Sequence, residues 1–102
     1  MDFGWDEGKR DWILKDRKID LRGMAQAFDG RPRLTYSSPR NGEDCNVSIV
    51  DINGKLHSII WMLRGEIIWL ITARRAWKSE NRDYLQAFED QGGQNERPDG
   101  LQ

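Results

Sequence analysis

With 102 residues, 32% of them charged but a net charge of only −1, the chain has room for one domain and lacks the strong basic footprint of a dedicated nucleic-acid binder. Its single cysteine, Cys45, excludes an internal disulfide framework and a cysteine-rich zinc site, and suits a reducing cytosol. The opening MDFGWDEGKR has acids where a signal peptide needs bases, and the most apolar stretch, 59–73, is cut by Arg64-Gly65-Glu66. Neither half would span a bilayer, so a cytoplasmic protein with no membrane partner is expected. Charge is unevenly spread. Between residues 31 and 88 nine Lys/Arg stand against six Asp/Glu, while beyond 88 Arg97 alone faces Glu89, Asp90, Glu96 and Asp99. Any phosphate contact must come from local clustering.

Phe3–Trp5 reads as a short strand. Asp6 is suited to cap a helix that runs through about Lys15, with Glu7 in its first turn and Trp5 and Trp12 seven apart. Asp20 reads as the cap of a second helix, whose Leu21, Met24, Ala25 and Phe28 form a buried stripe. Asp29-Gly30 stops it. The period then changes to two. Arg33–Tyr36 is a weak strand, placed at an edge or strand start by Pro32. SSPRNGED, residues 37–44, is a polar loop. Asn46–Ile52 and Lys55–Leu63 are strands joined by Asn53-Gly54, a type I′ hairpin signal. Arg64-Gly65 makes a second tight turn before the last strand, Glu66–Ala73. A third helix spans about Lys78–Phe88, with Trp77, Tyr84, Leu85 and Phe88 on its apolar side.

The expected fold is α+β: a short N-terminal strand, two helices, a four-stranded antiparallel meander and a C-terminal helix. Residues 1–88 form the single domain, and 89–102 a disordered polar tail. The last two strands are apolar on both faces. If Leu63 pairs with Glu66, Trp61 shares a face with Ile68, Leu70, Thr72 and Arg74, and Trp69 shares the other with Ile60, Met62, Ile67 and Ile71. A second apolar face calls for cover by the third helix, a dimer mate or a partner, unless helices cover both faces.

Two segments narrow the reading: FGWDEGKR at 3–10 and ITARRAWKSENRDY at 71–84. Together they resemble the BrnT family, ribonuclease toxins of type II toxin–antitoxin pairs. There F-x-W-D-x-x-K opens the first helix, and a strand ending I-[ST]-A-R-x-A leads to a helix with Glu and Tyr. The resemblance covers about Phe3–Tyr84. It implies a RelE-like fold, cleavage of messenger RNA, inhibition of translation, and neutralisation by a small DNA-binding antitoxin, BrnA. DNA would then be met only through the antitoxin, with a heterotetramer as one assembly open to the pair. The chain departs from the family at several places. Ile13, Asp16, Arg17 and Lys18 stand where Asn and then Lys-His-Gly are usual. Trp77 replaces Thr or Ser, Asn81 replaces Arg, and Trp69 replaces a base.

Metal-independent RNA cleavage by 2′-OH attack needs a base, an acid and cations for the phosphorane charge. His57 is the only histidine, so a two-histidine mechanism is excluded. No glycine-rich phosphate loop, Ser/His/Asp set or spaced metal ligands is present, and no cofactor or metal is expected. The candidate catalytic residues are Arg74, Glu80 and Tyr84. Arg64, Arg75, Lys78 and Lys9 are the candidate RNA contacts. Arg74 and Arg75 point to opposite faces if the strand continues, Arg74 with Thr72 and Trp61, Arg75 with Trp69. Trp77 breaks the T-x-x-E capping box, which leaves Glu80 to pair with an arginine or act as base. Tyr84 either joins the apolar stripe or presents its hydroxyl. Lys9 and Arg10 also read as a solvated helix face, Cys45 as incidental, and Trp61 and Trp69 as core or as base-stacking surfaces. Two alternatives stand beside the active toxin: a catalytically weakened relative that binds an antitoxin within a repressor complex, and a nucleic-acid binder that does not cut.

Overall fold

The computed structural model describes residues 2–39 and 42–89. The chain runs β1 (Asp2–Trp5), α1 (Glu7–Arg17), a 3-10 helix (Leu21–Phe28), β2 (Arg33–Ser37), β3 (Asn46–Ile52), β4 (Lys55–Arg64), β5 (Ile67–Arg75) and α2 (Lys78–Tyr84), with a π-helical turn at Leu85–Glu89. The polar tail from residue 90 and part of the 37–44 loop lie outside the described residues.

The meander forms as the alternation and turns predict, and β1 adds to it in parallel beside β5. The result is a mixed five-stranded sheet in the order β1-β5-β4-β3-β2. Asn53 and Gly54 both take positive φ, 56° and 82°, as a type I′ turn requires. The β4–β5 turn places Arg64 opposite Ile67 and Leu63 opposite Ile68, two residues from the expected register, so side-chain parity is retained there.

Asp6 Oδ1 accepts from the Lys9 backbone N–H and starts α1. The helix ends at Lys18, which adopts the left-handed conformation, φ 61°, ψ 31°. Ile13 is its buried residue, whereas Trp12 is half exposed. The expected second α-helix is a 3-10 helix. Its three-residue period buries Leu21, Met24 and Ala27 and leaves Ala25 and Phe28 only partly covered. Asp20 caps it through the Arg22 N–H and holds Arg10 from α1 at 2.8 Å.

α1 and the 3-10 helix cover the inner face of the sheet, where Ile13, Leu21, Val50, Ile59, Ile68, Leu70 and Ala73 form the main core. Trp61 belongs here: it meets Phe28 edge-on, and its Nε1 donates to Ser48 Oγ at 2.8 Å. The outer face carries a smaller cluster of Cys45, Val47, Ile60 and Ile71. Ile49 is fully buried there, while Met62, Trp69 and Ile67 remain partly open. Among the described residues no helix is long and apolar enough to cross a membrane.

Candidate functional site

A β-bulge decides where the arginine pair points. The β4–β5 ladder is regular from Arg64↔Ile67 to Trp61↔Leu70, then shifts so that Ile60 pairs with Thr72. One extra residue in β5 reverses the side-chain parity of everything after it. Arg74 therefore lies opposite Ser58 on the outer face, and Arg75 opposite His57 on the inner one. This reverses the assignment expected from an unbroken strand. Beyond Leu70, β5 has no strand neighbour on its β1 side among the described residues. Arg17 covers that edge, donating to Ala73 O at 2.9 Å and Thr72 Oγ1 at 3.3 Å.

On the outer face Arg74 meets Glu80 as a fork. Nη1 donates to Oε1 at 2.7 Å and Nη2 to Oε2 at 2.9 Å. Glu80 is the third residue of α2 and only 4% exposed. Its Oε1 also accepts from Ser58 Oγ and from the Trp77 backbone N–H, both at 2.8 Å, and its Oε2 from the Tyr36 hydroxyl at 3.2 Å. Half of a capping box thus forms although Trp77 stands at the cap position. That half needs only a backbone N–H, and an indole has no acceptor to supply the other.

Burial pushes the Glu80 carboxyl up, but bonds from Arg74, the Trp77 N–H and Ser58, together with the Arg74 charge, outweigh it and hold the group at about 2. With five donors on two oxygens, Glu80 has no spare lone pair for a substrate proton at neutral pH. Of the two roles open to it in the sequence, the geometry favours the pairing one. Burial, with Glu80 second, keeps the Tyr36 hydroxyl protonated past its usual range.

The guanidinium of Arg74 also lies 3.6 Å from the centroid of the Trp77 ring, which is itself 60% exposed. Trp77 and Tyr36 form the exposed part of a shelf, with Arg74 half-buried beneath them and Glu80 and Ser58 buried at its base. A cleft of about 370 Å³ opens elsewhere, between the 3-10 helix and the β3–β4 turn, lined by Lys18, Asp20, Asn53, Lys55 and His57.

Of the other candidates, only Lys78 neighbours the shelf. Tyr84 lies one helical turn beyond Glu80, with its ring 4.9 Å from Phe88, and burial pushes its hydroxyl up; no bond to Arg74 or Glu80 forms among the described residues. Arg64 stacks on Trp69 at 4.3 Å, six β4 residues from Arg74's partner Ser58, or about 20 Å. Arg75 donates to Leu56 O on the inner side. Lys9 sits on α1, across the sheet from Arg74. Lys78 opens α2 and is solvent-exposed beside the shelf. Among the described residues no cluster of three or more His, Cys, Asp or Glu could hold a metal ion.

Ser58 and Tyr36 are the residues that sequence reasoning missed. The signal for Ser58 was its polarity inside an apolar strand, a site where a buried hydroxyl needs a partner. Tyr36 gave no local signal, since Glu80 is 44 residues away.

The family model that matches this chain is described as "Ribonuclease toxin, BrnT, of type II toxin-antitoxin system" and covers residues 5–80. No curated protein matches it. The matched span includes Trp5, Arg74 and Glu80 and stops short of Tyr84. Helical segments on one face, the meander between the two motif segments and the α2 junction all fall within it, and the chain belongs to the BrnT family of type II toxin–antitoxin ribonuclease toxins.

Proposed function

We propose that the toxin cuts messenger RNA on the Arg74 shelf without a metal ion, and that a BrnA-like antitoxin neutralises it in the cytoplasm. The observation behind this is the forked, largely buried Arg74–Glu80 pair beneath the exposed Trp77 of a ribonuclease-family toxin. The 2′-OH attacks the neighbouring phosphorus and gives its proton to solvent water; a 2′,3′-cyclic phosphate forms, the P–O5′ bond breaks, and negative charge gathers on the phosphorane oxygens on the way. Arg74 keeps N–H groups beyond those held by Glu80, and these answer that charge. Glu80 acts through Arg74, fixing the plane of the guanidinium, so its role is positioning. We assign the proton for the leaving oxygen to Tyr36 in place of Tyr84: its hydroxyl, which donates to Glu80 at rest, turns to the leaving oxygen and regains its proton from water. Lys78 adds a cation at the rim.

Expression without the antitoxin should arrest growth, and Arg74→Ala, checked for soluble accumulation, should relieve the arrest. The purified toxin should cleave a messenger transcript in the presence of a chelator. Intact RNA at high toxin concentration would overturn the proposal.

A second reading draws on the same pair. Arg74 and Glu80 neutralise each other, and the fully bonded Glu80 carboxylate offers no free base. A weakened toxin whose main task is to bind its antitoxin fits this charge balance. It predicts healthy cells on expression and a stable complex with the antitoxin.

A further inference from the structure

We propose that Trp77 is a stacking platform for one nucleobase of the single-stranded RNA whose phosphate lies on Arg74; this rests on the shelf being the cleavage site. At 60% Trp77 is the most exposed large hydrophobic side chain among the described residues, so its ring presents a broad apolar plane to solvent. Trp77 cannot be explained as a helix cap, because its side chain has no acceptor for the α2 N–H groups. Instead it is held at two points. Its backbone N–H is bound to Glu80 Oε1 at 2.8 Å, and its ring is stacked on Arg74 at 3.6 Å. Arg74 is fixed in turn by both oxygens of Glu80. One face of the indole is thereby spent on the guanidinium, and the ring stays exposed.

A rigid aromatic plane adjoining an arginine is the combination that single-stranded nucleic acid recognises: a base stacks on the ring while the neighbouring phosphate meets the cation. Stacking makes no donor–acceptor demand, so the platform accepts any base and favours the larger purines. A Thr or Ser at this position would cap the helix through its hydroxyl and offer no such plane.

The test uses the full chain and short single-stranded RNA oligonucleotides made uncleavable by 2′-O-methylation, with binding read by fluorescence anisotropy. Trp77→Ala and Trp77→Thr should weaken binding roughly ten- to hundredfold, and Trp77→Phe should keep most of it. Trp77→Thr restores a capping hydroxyl, so its melting temperature should not fall, which separates lost stacking from lost folding. An abasic site walked along the oligonucleotide should weaken binding at one position in the wild type. It should have no effect there in Trp77→Ala, since both changes remove the same contact. With cleavable RNA the loss should appear in KM, with kcat near wild type.

Wild-type cleavage together with unchanged binding by Trp77→Ala and Trp77→Thr would remove the platform and leave the ribonuclease reading standing. Weaker antitoxin binding with unchanged RNA binding would overturn it in favour of a protein contact. If the wild type neither binds nor cuts RNA, the ribonuclease reading falls and takes the platform with it.

Discussion

Ser58 lies directly across the ladder from Arg74, and both side chains end on Oε1 of Glu80. Two neighbouring strands and the following helix are thus tied at one carboxylate oxygen. Arg74→Ala should expose how much rests there. It leaves a carboxylate 4% exposed without its counter-charge, although Ser58, Tyr36 and the Trp77 N–H remain. A loss of about 3 kcal/mol in urea unfolding is expected. Adding Glu80→Gln should recover about 1 kcal/mol or more, because the stranded charge goes with it.

Acid should act through the same group. The folded pKa of Glu80, about 2, lies below its ordinary 4.5. Its contribution is therefore fully present above 4.5 and is lost as pH falls towards 2. The loss should be on the order of 2–3 kcal/mol and absent from E80Q. His57 works in a higher window. Burial first, and then the Arg75 charge, lower its pKa, even though Nδ1 meets Lys55 O at 2.8 Å. The unfolded chain takes up that proton below about 6.5, so stability declines there as well. Stability measured against pH in E80Q and His57→Gln should separate the two.

Lys18→Gly should stabilise the protein by about 0.5–1 kcal/mol. Lys18 ends α1 at φ 61°, where a Cβ is strained, and its N–H still closes the helix on Leu14 O. The gain is the relieved strain less the extra freedom of glycine in the unfolded chain. A rise in melting temperature checks it; no rise would mean that the lysine side chain compensates.

Gly4→Ala should destabilise by about 2 kcal/mol. A Cβ on Gly4 would fall 2.7 Å from Cε3 and Cζ3 of Trp69, its neighbour across the parallel β1–β5 ladder. The ring would have to move, and with it Arg64, stacked 4.3 Å away. Thermal unfolding of the variant, with the Trp69 environment followed by near-ultraviolet dichroism, measures both effects.

The elements readable in the sequence were those set by local chemistry. Asp6 and Asp20 cap as their positions suggest, β3 spans Asn46–Ile52 as the alternation predicts, and Asn53-Gly54 turns as its residue types demand. What escaped was set by distant partners. Leu21–Phe28 has an α-helical apolar stripe, but packing against the sheet tightens it to a three-residue period. The bulge near Thr72 leaves no mark in the alternation of a strand apolar on both faces as far as Ile71, so an unbroken period puts Arg74 and Arg75 on each other's faces. The junction itself was legible, because Arg74 and Glu80 are only six residues apart. Tyr84 was a plausible member by helical spacing alone, and Tyr36 reached the shelf only through the pairing of β2 with β3.

The parallel pairing of β1 with β5 has a consequence for the order of events during synthesis. Phe3 and Trp5 find their strand partners, Ile68 and Leu70, only after more than sixty further residues have been made. The helices of the inner face are synthesised before all but one strand of the sheet they cover. The carboxylate that locks the shelf, Glu80, emerges later still. A chain that stops short of Glu80 leaves Arg74 without its carboxylate, so the shelf locks only after β5 and the first turn of α2 have both been made.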